Sequence, residues 1–383
     1  MLPYGRHYLD EEDIASVVEV LRGDFITQGP KIAAFEKALA CYCGARYAVA
    51  FNSGTSALHA AYFAAGLSQG DEFICPALTF CATANAGVFL GARPIFADSE
   101  EDTGNIDPEQ IESLITPRTK LVVPMHYAGH PADLEKIWRV AQRYGLKIVE
   151  DACHALGAEY RGAKIGSCQY SDMTVFSFHP VKHITTGEGG AVLTNSAEYY
   201  EKLLMFRNHG LTKDPNKFRH EPDGPWCYEM QFLGWNYRMT DFQAALGLSQ
   251  LKKLDRFLAR RRAIVTEYNK FFARFFLFDL PIEKGDVRSA WHLYVVRLGK
   301  DLVPVKRKIF ETLKGRGLGV QVHYIPVYWH PFYQDLGYEP GLCPRAEEFY
   351  RRALSLPLFP AMTESEVNQV KDTVAEVFTE VAA

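Results

Sequence analysis

An α/β fold with a mostly parallel central sheet, covered by helices on both faces, is the architecture this sequence predicts. Between about residues 45 and 195, apolar runs of four to seven residues alternate with helical stretches. Strands buried on both faces read as continuous apolar runs, and parallel neighbours need crossover connections between them. The chain has 383 residues, more than one small core accommodates and suited to two domains.

The elements follow in order. AVAF (48–51) is a strand, followed by a glycine turn and the helix TSALHAAYFAAGL. EFICP (72–76) leads into a helical run through ATANAGVFLGA, then the strand PIFAD (94–98). KLVVP (120–124) precedes a loop and the helix PADLEKIWRVAQRYG. LKIVE (146–150), DMTVFSF (172–178) and AVLTN (191–195) complete the set of short buried strands. Beyond them YYEKLLMFRNHG is helical, and 211–236 is polar and irregular. The periodicity of 241–272 predicts one long amphipathic helix that bridges to a smaller α+β unit. That unit holds the strand WHLYVVRL, a helix through VKRKIFETLKGRG, the strand VQVHYIP and a helix from about 363. The expected division is a large domain over 1–245 with its N-terminal segment, then the bridging helix and small C-terminal domain over 246–383.

Composition narrows the partners. With 42 basic and 46 acidic residues, the net charge of −4 and the lack of a polybasic block argue against nucleic acid. Apolar runs are interrupted well before about 18 residues, so no membrane span is expected. The start, MLPYGRHYLDEED, lacks the apolar segment of an export signal. The eight cysteines include no C-x-x-C pair, a pattern of reduced thiols in a cytoplasmic protein, and no metal site is expected.

Three segments have the residue types for chemistry. Asn52-Ser53-Gly54-Thr55-Ser56-Ala57-Leu58 lies between a strand and a helix. Free N–H groups at such a helix start bind phosphate, although an ordinary N-cap uses the same residues. Asp151 directly follows LKIVE, at a strand end where ligands of open parallel sheets bind. It could pair with a protonated pyridine nitrogen or cap the next turn, with His154 three residues on. Phe176-Ser177-Phe178-His179-Pro180-Val181-Lys182 ends a strand and enters a loop with Thr185, Thr186 and Gly187-Glu188-Gly189-Gly190. A lysine is by default solvated, but one in such a loop can be desolvated and act as a nucleophilic amine.

Together these blocks resemble the DegT/DnrJ/EryC1/StrS sugar aminotransferases, which have the pyridoxal 5′-phosphate (PLP)-dependent transferase type I fold. The resemblance rests on Ser-Phe-x-x-x-Lys-x-x-x-x-Gly-Glu-Gly-Gly, Asn-Ser-Gly-Thr-Ser-Ala-Leu, Glu150-Asp151-Ala-Cys-His154-Ala and Gly234-Trp-Asn236-Tyr-Arg238-Met. The four occur in the family's order, and the likeness extends over essentially the whole chain.

The resemblance implies that Lys182 holds PLP as a Schiff base and shuttles protons in a transamination. Gly54, Thr55, Ser56 and Ser177 would bind the cofactor phosphate, and Phe80 would stack on its ring. Asp151 would meet the pyridine nitrogen, with His154 near the ring hydroxyl. Asn236 would reach the phosphate of a neighbouring subunit, which makes the protein a homodimer with shared sites. By itself Asn236 is equally a turn residue after Gly234.

Family substrates are nucleotide-linked keto-sugars, with L-glutamate the usual amino donor. Asp24-Phe25-Ile26-Thr27-Gln28-Gly29, Tyr127-Ala-Gly-His130 and Gln321-Val322-His323-Tyr324-Ile-Pro-Val-Tyr328 resemble one branch. It makes UDP-4-amino-4,6-dideoxy-N-acetyl-β-L-altrosamine on the pseudaminic acid route to surface polysaccharides. The implied substrate wall is Tyr4, Asp24, Phe25, Ile26, Thr27, Gln321, Val322, His323 and Tyr324. The same catalytic blocks suit UDP-4-amino-4-deoxy-L-arabinose or perosamine-type enzymes. A deoxysugar dehydratase has histidine where Lys182 stands, and a non-catalytic scaffold could dispense with Lys182 or Asp151.

Overall fold

A computed structural model describes residues 1–382. Its central sheet has seven strands: β1 (Tyr47–Phe51), β2 (Glu72–Pro76), β3 (Arg93–Ala97), β4 (Thr119–Val122), β5 (Lys147–Asp151), β6 (Met173–Ser177) and β7 (Gly190–Thr194). Their order across the sheet is β1-β7-β6-β5-β4-β2-β3. Pairings from β6 through β5, β4 and β2 to β3 are parallel, whereas β7 runs antiparallel to both β1 and β6. The carboxyl ends of β1, β5 and β6 therefore share one edge of the sheet.

Alternation along the strands fills both faces, because successive side chains of a strand point in opposite directions. Val49 and Phe51 join a core with Ala57, Leu58 and Tyr62 of the helix Gly54–Ala64, while Ala48 and Ala50 face Phe35, Ala244 and Leu254 on the other side. A separate core is formed mainly from residues beyond 254, with Phe272, Tyr294, Leu354 and Phe378 among its buried members. It surrounds a three-stranded sheet of β8 (Phe278–Asp279), β9 (Tyr294–Leu298) and β10 (Ala353–Leu356). No helix among the described residues is long and apolar enough to cross a membrane.

Three expected elements take another form. The long helix over 241–272 is two helices, Asp241–Leu251 and Leu254–Phe272, with a break at Lys252–Lys253. The break turns Lys253 inward, where its amine pairs with Asp10 and lies 3.0 Å from Asp13 of the helix Glu11–Leu21. The strand expected over WHLYVVRL begins only at Tyr294, since Trp291 has φ 48° and the N–H groups of His292 and Leu293 both donate to Ala128 O. VQVHYIP makes no strand: Gln321 alone pairs, with Ser355, and the Tyr127 hydroxyl takes the carbonyl of His323.

Candidate active site

The sheet edge at the ends of β1, β5 and β6 gathers the three chemical segments. After β1 the chain turns at Ser53, whose side chain caps the helix Gly54–Ala64 by accepting from Ser56 N, while Ser56 Oγ accepts from Ser53 N (both 3.1 Å). No hydrogen bond among the described residues occupies the N–H groups of Gly54 and Thr55. They are free donors at a helix start, the arrangement that favours an anion.

Close approach requires glycine at two places here. A Cβ on Gly190 would lie 2.5 Å from Ser53 O, so the turn could not cross the start of β7. A Cβ on Gly54 would lie 2.9 Å from Ser177 Cβ and 3.2 Å from Ser177 Oγ. Ser177 at the end of β6 thus faces the start of the helix Gly54–Ala64. Thr55 is exposed, whereas the Ser56 hydroxyl is buried and donates to Asn52 Oδ1 at 2.7 Å. Of the two hydroxyls expected at the phosphate, Thr55 is open to it and Ser56 serves the cap.

Lys182 follows Ser177 in a closed loop. Phe178 and Thr186 bond across its neck, and the Lys182 N–H donates to His179 O at 2.9 Å. Burial pushes the Lys182 amine below the ordinary lysine value, opposed by the nearby Cys153 and Asp151. No hydrogen bond or ion pair to Lys182 Nζ occurs among the described residues. This is an amine with a lowered pKa and uncommitted donors, the surroundings a nucleophilic lysine needs.

Asp151 ends β5 and is 4% exposed. Its Oδ2 accepts from Thr83 Oγ1 at 2.7 Å and its Oδ1 from Cys153 N at 3.1 Å. His154 is buried, with Nε2 3.0 Å from the Tyr324 hydroxyl and Nδ1 unpartnered. Its ring centroid lies 4.2 Å from that of His292, which in turn is 5.5 Å from His183. Burial, reinforced by Lys182, holds all three imidazoles well below the ordinary histidine value. The lysine therefore sits among neutral histidines.

Tyr324 joins this group to the expected substrate wall. Its ring is 6.0 Å from Phe80, which is 55% exposed and so presents a free aromatic face. Tyr4 packs at 5.2 Å on His323, whose Nδ1 lies 2.8 Å from Ser355 Oγ. Gly5 approaches Val181, so the N-terminal segment lies beside the Lys182 loop. Gln321 is exposed and Val322 half-buried on the same stretch.

The remaining expected residues lie elsewhere in the chain. Asp24, Phe25, Ile26 and Thr27 are exposed, and they are tied to the helix starting at Asp241: Asp241 N donates to Ile26 O, and Thr27 bridges Thr240. Asn236 is exposed too, bridging Asn208. No hydrogen bond or ring contact among the described residues joins Asn236 or residues 24–27 to Lys182, Asp151 or Tyr324. Sequence reasoning missed Thr83, Cys153 and His292. Cys153 stands two residues from Asp151 and could have been found by that proximity; Thr83 and His292 have no local signal.

The residues present fit PLP: a depressed lysine amine, an acid held at a strand end, and free N–H donors beside a serine. The sequence profile of the DegT/DnrJ/EryC1/StrS aminotransferase family matches residues 7–375. The chain is 41% identical over 379 residues to the spore coat polysaccharide biosynthesis protein SpsC of Bacillus subtilis, covering 98% of this chain and 97% of that one. It is similar to Helicobacter pylori PseC, an aminotransferase involved in the biosynthesis of pseudoaminic acid (36% identity, 99% of each chain, TM-score 0.93). It is also similar to the putative sugar aminotransferase Spr1654 of Streptococcus pneumoniae in its PMP form (30% identity, 100% of each chain, TM-score 0.93). Spr1654 has been solved in a PLP form as well.

Proposed function

Because this chain belongs to the DegT/DnrJ/EryC1/StrS aminotransferase family and is a PLP-dependent sugar aminotransferase, we propose that it aminates a UDP-linked 4-keto-6-deoxy-N-acetylhexosamine at C4″. L-Glutamate is the donor in this reading, and the product is a UDP-4-amino sugar for pseudaminic acid-type surface glycans. The observation that carries it is the meeting of Tyr324, from the stretch 321–328 that resembles this branch, with His154 of the Glu150–Ala155 block. The similarity to PseC supports the same branch.

PLP supplies an electron sink when bound. Lys182 Nζ would hold the cofactor covalently and, once released, would be the base that moves a proton at the reacting carbon. Asp151 would pair with the pyridine nitrogen and keep it protonated. Ser177, Thr55 and the Gly54 N–H orient the phosphate. Phe80 would cover the ring, with His154 and Tyr324 beside its hydroxyl. Tyr4, Gln321, Val322 and His323 line the way to the sugar nucleotide.

Asn236 and residues 24–27 belong, in this reading, to the active site of a second copy. The exposure of Asn236 and of residues 24–27 supports a homodimer with shared sites, and the reading places it in the cytoplasm.

The deciding experiment incubates the PLP-loaded protein with L-glutamate and UDP-4-keto sugars, identifying products by NMR. The panel holds the 4-keto-6-deoxy-N-acetylhexosamine and a 4-keto-pentose, with a GDP-linked 4-keto-6-deoxyhexose for the perosamine type. Amination of the first with strong preference supports the proposal; preference for either of the others overturns it.

A further inference from the structure

Asp151 is held from behind by a pair of buried threonines. Thr83 is fully buried and Thr79 is 1% exposed. Thr83 Oγ1 donates to Asp151 Oδ2 at 2.7 Å, and Thr79 Oγ1 lies 2.7 Å from Thr83 Oγ1. A hydroxyl has one proton. Thr83 commits its own to the carboxylate, so Thr79 must supply the proton of the second bond. The chain then has one direction, from Thr79 to Thr83 to Asp151.

The support is anchored at both ends. Thr83 lies in the first turn of the helix Ala82–Val88, and the Tyr62 hydroxyl donates to its carbonyl at 2.9 Å. Two positions along, Asn85 Oδ1 accepts from the Tyr333 hydroxyl at 2.6 Å. On the other carboxylate oxygen, Cys153 N donates to Oδ1. One donor on each oxygen fixes the plane of the group. Each oxygen also keeps acceptor capacity for a donor arriving from the cleft.

We infer that Thr83, backed by Thr79, is a positioning residue that orients Asp151 toward the cofactor nitrogen; this rests on the proposed role of Asp151. The hydroxyl compensates a carboxylate buried at the strand end and directs its remaining lone pairs outward. Without that donor, the buried oxygen loses a partner that only water could replace. The ring nitrogen would then keep its proton less firmly. Because a protonated ring draws electrons from the lysine-bound imine, the pH midpoint of that imine would rise.

The test compares Thr83→Val, close in shape but without the hydroxyl, with Thr83→Ser, which retains it. Asp151→Asn serves as the reference. Three quantities are read for each: the dissociation constant for PLP, the pH midpoint of the visible band of lysine-bound cofactor, and the melting temperature of the apoprotein. Thr83→Val is expected to weaken PLP binding about tenfold or more and to raise the midpoint, with Thr83→Ser restoring both. Thr79→Val should move the midpoint the same way by less, and it stands in if Thr83→Val fails to fold. Unchanged PLP binding and midpoint in the valine variants, or a fall in melting temperature alone, would overturn the positioning role. Unchanged binding and midpoint in Asp151→Asn would instead refute the role of Asp151 itself.

Discussion

The hydroxyl of Tyr324 lies 3.0 Å from Nε2 of His154, tying the stretch 321–328 to the catalytic block around Asp151. Nδ1 of the same imidazole is buried without a partner. His154 therefore depends on Tyr324 for its one hydrogen bond. Replacing Tyr324 by Phe should lower kcat/KM for the keto-sugar about tenfold while PLP remains bound. Steady-state rates beside an absorbance titration check this, and unchanged rates would remove Tyr324 from the mechanism.

In the proposed mechanism Lys182 combines covalent attachment and proton transfer in one amine. Lys182→Ala should abolish the visible band of lysine-bound cofactor and cut turnover by roughly a thousandfold or more. A spectrum of purified variant and a coupled assay for 2-oxoglutarate suffice. Retention of turnover would place the chemistry on another residue.

Gly54 bears on the proposed phosphate site through space alone. A methyl group there would meet Ser177 Cβ at 2.9 Å, forcing the helix start away from the serine. Gly54→Ala should weaken PLP binding by about tenfold or more, leaving the lysine's chemistry intact at saturating cofactor. Fluorescence titration with PLP measures the loss. A dissociation constant equal to that of the unmodified protein would show that the two segments do not jointly hold the phosphate.

Stability should depend on pH through the buried histidines. Burial lowers His59 to about 4 and His323 to about 3, and His154, His183 and His292 well below the ordinary value. Their folded values lie below their unfolded ones, so the unfolded chain binds more protons in the interval between. The contribution is present in full above about 6.5, the unfolded value, and is lost as pH falls below it. At pH 5, unfolding of the apoprotein should take up protons on account of these groups, about one each for His59 and His323. Calorimetry in buffers of different ionisation enthalpy counts them, and an uptake near zero would contradict their neutral burial.

Local chemistry explains why much of the site was legible. Lys182, Asp151 and Ser177 stand at or just beyond strand ends, and apolar runs marked those ends. Gly54 could be read because a strand, a turn and a capped helix follow one another within ten residues or so. The helix break at Lys252–Lys253 was not legible: the apolar period runs through it, and the buried acids that draw Lys253 inward lie at Asp10 and Asp13. Nor did the alternation of VQVHYIP reveal that Tyr127 takes its backbone carbonyl.

The sequence alone determined the strand-helix alternation, the sheet edge with Lys182 and Asp151, and the family to which those motifs point. These properties depend on neighbours a few residues apart, where periodicity and turn chemistry operate. Tertiary structure decided what surrounds the lysine. Thr83 reaches Asp151, Tyr324 reaches His154, and Arg261 donates to the carbonyls of Trp291 and His292 beside the histidine stack. Each contact joins distant stretches through the packing of buried faces, and hydrophobic patterning specifies which faces meet without specifying which polar atoms come into register.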